Sequence, residues 1–300
     1  MEKNIYIIEA LSNMHVGSGD ANFGVIDNLI QRDVLTDLPN INSSGLKGAI
    51  REFFKNAEIA TDKEDLIRAI FGSEPKDREA DSDSENPGKT KKSKKDLQQG
   101  AFRFFEANLL SIPIRSDRVP FLMATSIEIA KDLLFKSENF NIPLMDFEKP
   151  LNDLVENFII SPNNPLLFDE SLDGSVIENH EWVPRFEQNS NKELLEKLFG
   201  SPLVILNDND FRTICNNDNL PVIARNNLEN GQSKNLWYEQ ILPRFSRFYF
   251  SLIKQQPFIP IENLFEFFDE KLKENIVQIG ANATIGYGYC RIKNINTLNS

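Results

Sequence analysis

Arg-Phe-Tyr-Phe-Ser-Leu-Ile (247–253), Ile-Glu-Asn-Leu-Phe-Glu-Phe-Phe-Asp-Glu-Lys-Leu (261–272), Asn-Ile-Val-Gln-Ile-Gly (275–280) and Tyr-Gly-Tyr-Cys-Arg-Ile (287–292) decide the fold. The first is a dense aromatic and aliphatic run, read as a strand. The second repeats its apolar residues at helical spacing, and the last two are short strands joined by a glycine loop. At the other end of the chain, residues 4–11 put Ile5 and Ile7 on one face and Tyr6 and Ile8 on the other, as a strand buried on both sides requires. Ser43-Ser44-Gly45-Leu46-Lys47-Gly48 then opens a helix. Its Leu46, Ala49, Ile50, Phe53 and Phe54 share one face, and Ser43 or Ser44 is a suitable N-cap.

Joined, these pieces predict an α+β chain with a split βαββαβ sheet, the ferredoxin-like arrangement also used by RNA-recognition modules. Between them, the spacing predicts an extended stretch over 29–38, a helix over 62–71, a strand over 101–114 and a helix over 126–135. A helix over 191–199, a short strand over 203–206 and a helix over 208–215 capped by Asp208 follow. Residues 220–228 and 236–242 flank Glu229-Asn230-Gly231-Gln232, and Asn-Gly is a strong turn signal, so a projecting hairpin is expected there. Residues 73–99 read as a solvated insertion: mostly acidic from 74 to 85, then five lysines between 89 and 95, with almost no apolar residues.

Three hundred residues at 40% apolar content can bury a large core. Cys215 and Cys290 cannot frame a disulfide scaffold, and no window reaches the ~18 apolar residues of a membrane span, so the expectation is a cytoplasmic protein with no membrane association. A net charge of −12 argues against a free-standing nucleic-acid binder, because phosphate contacts are made by Lys and Arg. The charge is uneven, however. Residues 137–184 hold ten acidic side chains against Lys149 alone, which accounts for −9 of the total and leaves the remainder close to balanced. This segment has few regular signals and is expected to form an acidic lobe. The twenty-three phenylalanines are expected to be mostly core.

Candidate chemistry lies in residues 13–32. His15 precedes Gly17 and Gly19, and Asp27 follows Gly24-Val25-Ile26. A glycine turn flanked by an imidazole and a carboxylate can hold a phosphodiester. The helix start at Ser43 and Ser44 offers free N–H groups and a positive dipole end, with Lys47 adding a point charge. Gly280, Gly286 and Gly288 are candidates for a second phosphate nest. Arg244 and Arg247 alternate with Phe245 and Phe248 and either contact an RNA backbone or face solvent.

His-Val-Gly-Ser-Gly (15–19), Gly-Val-Ile-Asp (24–27) with Ile30-Gln31-Arg32, Ser-Ser-Gly-Leu-Lys-Gly (43–48), Ile-Pro-Ile-Arg-Ser (112–116), Leu-Trp-Tyr-Glu (236–239) and Gln-Ile-Gly-Ala-Asn-Ala-Thr-Ile-Gly-Tyr-Gly (278–288) occur in this order. The ordered set resembles the Cmr4 family, the backbone RAMP subunit of type III-B CRISPR effector complexes. The resemblance implies a subunit of an antiviral ribonucleoprotein that polymerises with other copies of itself and other subunits along a guide RNA. It further implies cleavage of complementary target RNA at regular intervals by attack of a 2′-hydroxyl on its own phosphate. Two departures stand out: the 73–99 loop is longer than the family's connection, and the family's Asp-Ala before Ile112 is Glu106-Ala107 here.

By this resemblance Asp27 is the cleaving aspartate. A free aspartate, with a pKa of about 3.9, is a poor base for a hydroxyl but ligates a hard cation well, so Asp27 is expected to bind a divalent metal, Mg2+, or to position the 2′-hydroxyl. Imidazoles titrate near neutrality, which suits His15 to proton transfer. Glu239 is the family's candidate second acid, Ser43, Ser44 and Lys47 are assigned to the guide backbone, and Arg225 sits on the hairpin as a thumb that splays the duplex. The alternatives are a non-catalytic RNA-binding subunit, a guide-precursor processing ribonuclease using His15 without metal, and an acidic interaction module.

Overall fold

The computed structural model describes residues 1–19, 25–58, 63–73, 98–177, 179–258 and 260–299. The insertion expected over 73–99 and the Gly24 tip of the first loop fall almost wholly outside these residues. Strands, in chain order, are β1 Glu2–Ala10, β2 Asn40–Ile41, β3 Phe102–Phe104, β4 Ala107–Ile114, β5 Leu122–Ser126, β6 Leu166–Leu167, β7 Arg185–Phe186 and β8 Leu203–Leu206. The remainder are β9 Val222–Glu229, β10 Gln232–Gln240, β11 Arg247–Lys254, β12 Ile276–Gln278 and β13 Tyr289–Asn294.

Eleven of these strands form one mixed sheet along the path β12-β13-β1-β11-β4-β5-β8-β6-β7, with β2 beside β4 and β3 beside β11; β9 and β10 form a separate hairpin. The four strands β13, β1, β11 and β4 are antiparallel throughout. The chain passes through helix Ser43–Asn56 between β1 and β4, and through helix Leu264–Glu274 between β11 and β13. Aromatic contacts fix both helices on one face of the sheet. Phe54 stacks on Phe268 at 5.3 Å, Phe102 meets Phe268 at 5.1 Å, and Tyr6 stacks on Phe250 at 5.2 Å. Phe54, Phe102, Phe248, Phe250 and Phe268 are fully buried, as expected of phenylalanines that fill a core.

The opposite face is covered as well. Lys3 Nζ donates to the carbonyl of Phe140 at the end of helix Ile127–Phe140, and Tyr249 donates to Asp132 of the same helix. Arg247 donates to the carbonyls of Lys197 and Leu198 at 2.7 and 3.0 Å in helix Lys192–Phe199, and pairs with Glu9. Arg247 is therefore a structural clamp, neither solvent-facing nor free for RNA. The two-sided burial foreseen for β1 holds, and it denies this sheet the open face on which RNA-recognition modules stack bases.

Several local expectations need correction. The first helix is preceded by Asn42, which has no side-chain cap bond, so neither Ser43 nor Ser44 is the N-cap. Helix Asp208–Cys215 is capped by Asn207, whose side chain accepts from the amides of Asn209 and Asp210; Asp208 is already helical. Residues 29–38 are not extended throughout. Asp33 Oδ1 accepts from the amides of Leu35 and Thr36 and from the Thr36 hydroxyl, closing a turn that raises Val34 and Leu35 into solvent. The strand expected over 101–114 breaks into β3 and β4, because Glu106 falls at an irregular step. The acidic segment is more regular than its sequence shows. It supplies helix Glu148–Asn157 and β6, and Leu151, Leu154, Leu166 and Leu167 join the main hydrophobic cluster.

Lys254, which the sequence reading did not single out, is fully buried, donating to Glu2 Oε1 at 2.7 Å and Asp269 Oδ2 at 2.8 Å while lying over the rings of Tyr6 and Phe265. Burial is the main cause that raises the Asp269 carboxyl above its ordinary value, with Lys254 opposing. Removing the cation leaves these acids facing each other. Lys254→Met is expected to cost about 2–4 kcal/mol in urea unfolding, below the full penalty for a broken buried pair because Asp269 is still 31% exposed. An added Asp269→Asn should restore part of that loss; a neutral single variant would contradict the account.

Candidate active site

The first loop is held by backbone ladders on two sides. Met14 exchanges amide bonds with Leu242 at 2.9 Å in both directions, and Gln31 N donates to Val16 O at 2.8 Å. Asn28 lies parallel to Glu239, and Gln240 N donates to Asn28 O at 2.9 Å. The end of β10 is therefore the template on which residues 14–17 and 27–31 are laid. Arg32 locks the second arm, donating to Asn217 Oδ1, the Cys215 carbonyl and the Asp37 carbonyl.

Asp27 is exposed, and its carboxylate is anchored through Oδ2, which accepts the Tyr238 amide at 2.8 Å. Its own amide donates to Tyr238 O at 3.1 Å. Among the described residues nothing else bonds this carboxylate, which leaves its second oxygen to meet a ligand. His15, only 5% exposed, donates from Nδ1 to the Gln240 carbonyl at 2.7 Å. A carbonyl can only accept, so the proton sits on Nδ1 and Nε2 carries the lone pair in the neutral ring. Asp27 and His15 are thus tied to positions two residues apart on one strand, about 7 Å of backbone. Nε2 points at Gly17, where an added Cβ would lie 3.1 Å away. A side chain there would close the approach to the imidazole.

Glu239 lies between them and is engaged on every side. Its Oε1 accepts from the Trp237 indole at 2.9 Å; its Oε2 accepts from Asn282 Nδ2 at 3.0 Å and pairs with Arg225 Nε at 2.8 Å. It is 6% exposed. Such a carboxylate joins three elements and has no free oxygen for chemistry. Arg225, expected on the hairpin, is on β9 but points inward, lying over the Tyr287 ring at 5.3 Å with Nη2 buried and unpartnered. The hairpin has the expected Asn-Gly tip, with Asn230 and Gly231 both at positive φ, 52° and 79°.

The glycine loop is zipped against the start of the first loop. Ala281 N donates to His15 O and Gly288 N to Asn13 O, both at 2.8 Å. Gly280 has φ of +92°, and a Cβ there would meet His15 O at 2.5 Å, so this position tolerates only glycine. Gly286 N donates to Ala283 O. The amides of Gly286 and Gly288 are therefore spent within the chain and cannot form a phosphate nest, and Gly280 serves to admit the His15 backbone. Gly19, with φ of +86°, has open space around it. Ser43, Ser44 and Lys47 remain at a helix start with no side-chain cap and no acid in its first turn. Burial, and then Arg51 one turn on, hold the Lys47 ammonium below its ordinary value.

A metal cage is not built here: among the described residues no group of three or more His, Cys, Asp or Glu converges. With Glu239 spent, the described residues of the site offer one free carboxylate oxygen, on Asp27. That fits a single ligand to a hydrated Mg2+ whose other oxygens come from water and phosphate. The residues the sequence reading missed are Asn282, Gln240 and Asn13, the polar joints behind the site. Their signal was weak, an asparagine inside a glycine loop and a glutamine closing a strand.

A family model described as the RAMP superfamily matches residues 7–291. The CRISPR system Cmr endoribonuclease Cmr4 of Pyrococcus furiosus is 28% identical over 298 residues, spanning 94% of this chain and 92% of that protein. The CRISPR system CMR subunit Cmr4 of Saccharolobus solfataricus is 24% identical over 325 residues, 97% and 96% of the two chains. Among solved structures, a chain of the type III-B Cmr-beta complex bound to cognate target RNA superposes with a TM-score of 0.75 at 21% identity, covering 99% of each chain. Oligomeric Cmr4 from Pyrococcus furiosus gives 0.66 at 19% identity, with 98% and 99% covered. These two likenesses speak to fold.

Proposed function

The chain belongs to the RAMP superfamily, and from that premise we propose that it is a backbone subunit of a type III-B CRISPR effector, binding guide RNA, assembling with further copies of itself and with other subunits, and cleaving complementary target RNA at regular intervals. The full-length likeness to a Cmr4 endoribonuclease supports this reading. The observation that carries it is Asp27, an exposed carboxylate held by one oxygen on the strand that also orients His15. On this reading β13, β1, β11 and β4 with their two helices are a ferredoxin-like core, and β9–β10 is a thumb entering the guide–target duplex.

In the proposed reaction Asp27 holds the target 2′-hydroxyl in line with the adjacent phosphorus, and His15 Nε2 receives its proton. The oxygen attacks its own phosphate, the P–O bond to the next nucleotide breaks, and the departing 5′-oxygen takes a proton from water, so that a 2′,3′-cyclic phosphate and a 5′-hydroxyl remain. A Mg2+ on Asp27 would neutralise charge on the phosphate. The open helix start at Ser43 and Ser44, with Lys47, holds the guide backbone. A processing ribonuclease working through His15 alone is less well supported, because it leaves the exposed, anchored carboxylate of Asp27 without a role.

The test is a purified complex carrying guide RNA, offered an end-labelled complementary RNA with Mg2+. Evenly spaced cuts ending in cyclic phosphate are expected. An intact target, or cutting of a guide precursor in EDTA, would overturn the assignment.

A further inference from the structure

Tyr238 serves Asp27 through its main chain alone. Its carbonyl accepts the Asp27 amide at 3.1 Å, and its amide donates to Asp27 Oδ2 at 2.8 Å. The side chain is free of that task. Successive side chains of a strand point to opposite faces, so β10 sends Trp237 and Glu239 one way and Leu236 and Tyr238 the other. The first face is filled, with Glu239 only 6% exposed and held by the Trp237 indole, Asn282 and Arg225. The second is open: Tyr238 is 38% exposed, Leu236 54% and Val222 of β9 40%. Directly across from Tyr238 stands Ala224, itself exposed and too short to cover a ring.

The other four tyrosines of the chain all have side-chain partners. Tyr6 and Tyr249 are buried and donate to Asp269 and Asp132, Tyr287 lies beneath the Arg225 guanidinium, and Tyr289 donates to Ala283 O. Among the described residues the Tyr238 hydroxyl has no hydrogen-bond partner and its ring no aromatic partner. This ring stands beside the one carboxylate that is open to a ligand. The ribose whose 2′-hydroxyl reaches Asp27 carries its base on the adjacent carbon, so the base lies against the surface that borders Asp27. With the Glu239 face filled, that surface is Tyr238 with Leu236. A base and an aromatic ring meet by stacking, which tolerates any sequence and is strongest for the larger purines. A protein segment seated here would instead obstruct the nucleotide that Asp27 has to meet.

We propose that Tyr238 is a stacking residue: its ring takes the base of the target nucleotide whose 2′-hydroxyl attacks, and so holds that ribose against Asp27 with the hydroxyl in line. The proposal rests on the target-cleaving reading above and adds a selectivity to it, faster cutting after a purine than after a pyrimidine.

The experiment is single-turnover cleavage by the complete complex with guide RNA and Mg2+. The targets carry adenosine, uridine or an abasic ribose at the nucleotide 5′ of one cut, the guide base being matched for the first two, and the remaining cuts in the same RNA serve as the internal reference. Tyr238→Ala keeps both main-chain bonds to Asp27, so it tests the ring and not the anchor. A rate roughly fivefold to hundredfold lower is expected for Tyr238→Ala on adenosine and for the unaltered complex on the abasic ribose. Combined, the two losses should not multiply, since both remove one stack. Tyr238→Phe and Tyr238→Trp should keep the rate. Equal rates on all three targets, or losses that multiply, would overturn the proposal and leave the cleaving reading intact. An uncut adenosine target in the unaltered complex would overturn both. Failure of Tyr238→Ala to assemble, read by mass photometry, would assign the open face to a second copy and overturn the stacking role.

Discussion

Asp27→Asn is expected to leave the chain folded and assembled on guide RNA while lowering target cleavage by roughly 10²–10⁴-fold. The choice of asparagine follows from the geometry. Asp27 Oδ2 accepts the Tyr238 amide at 2.8 Å, and an amide oxygen can accept that bond equally well, so the loop stays docked on β10. What disappears is the negative charge on the outward oxygen. Asp27→Ala removes both, and a loss seen with alanine alone would mean that the side chain matters only as a loop anchor. The two substitutions thus separate chemistry from docking. Melting should shift by no more than about 0.5 kcal/mol in the asparagine variant, as for other exposed changes. Undiminished cutting by Asp27→Asn in Mg2+ would remove the carboxylate from the reaction. A loss that extra Mg2+ partly rescues would point to metal binding, and one that it leaves unchanged to positioning of the hydroxyl.

Much of the architecture was legible because it is written in local chemistry. β1 announces itself by isoleucines on both faces, the hairpin by Asn230-Gly231, and helix Ser43–Asn56 by a phenylalanine stripe that ends up stacked on Phe268. Caps were less legible, since Asn42, Ser43 and Ser44 are equally plausible by type and only the φ and ψ of the built chain separate them. The acidic segment hid its helix and strand because its buried leucines are spread among surface carboxylates. The site divides the same way. Asp27 and His15 were found because a carboxylate and an imidazole beside glycines are chemically conspicuous. The roles of Glu239 and Arg225 were not legible: their partners, Trp237, Asn282 and Tyr287, come together only when hairpin and glycine loop pack. Arg244 and Arg247 are indistinguishable in sequence, yet one lines a cleft and the other grips a helix end.

Glu239→Ala is expected to lower stability by about 3–5 kcal/mol and to abolish cleavage as a consequence. The Glu239 side chain is 8% exposed and that of Arg225 16%, so their pairing at 2.8 Å takes place largely out of water. Arg225 already has one buried, unpartnered nitrogen. Without the carboxylate its charge has no counter-ion, and the Trp237 indole and Asn282 amide lose their acceptor as well. The joint between the hairpin, the glycine loop and the first loop would then open, and Ala281, which holds the His15 carbonyl, follows Asn282 in its displacement. A structural joint and a catalytic acid make different predictions for the double variant Arg225→Met with Glu239→Met. Removing both charges replaces a buried pair by apolar volume, which is often neutral or better. If Glu239 only positions, the double variant should regain most of the urea midpoint and a measurable part of cleavage, with Asp27 and His15 intact. If Glu239 takes part in the reaction, the double variant should regain stability and stay inactive. That outcome would return Glu239 to the catalytic set from which its three partners now exclude it.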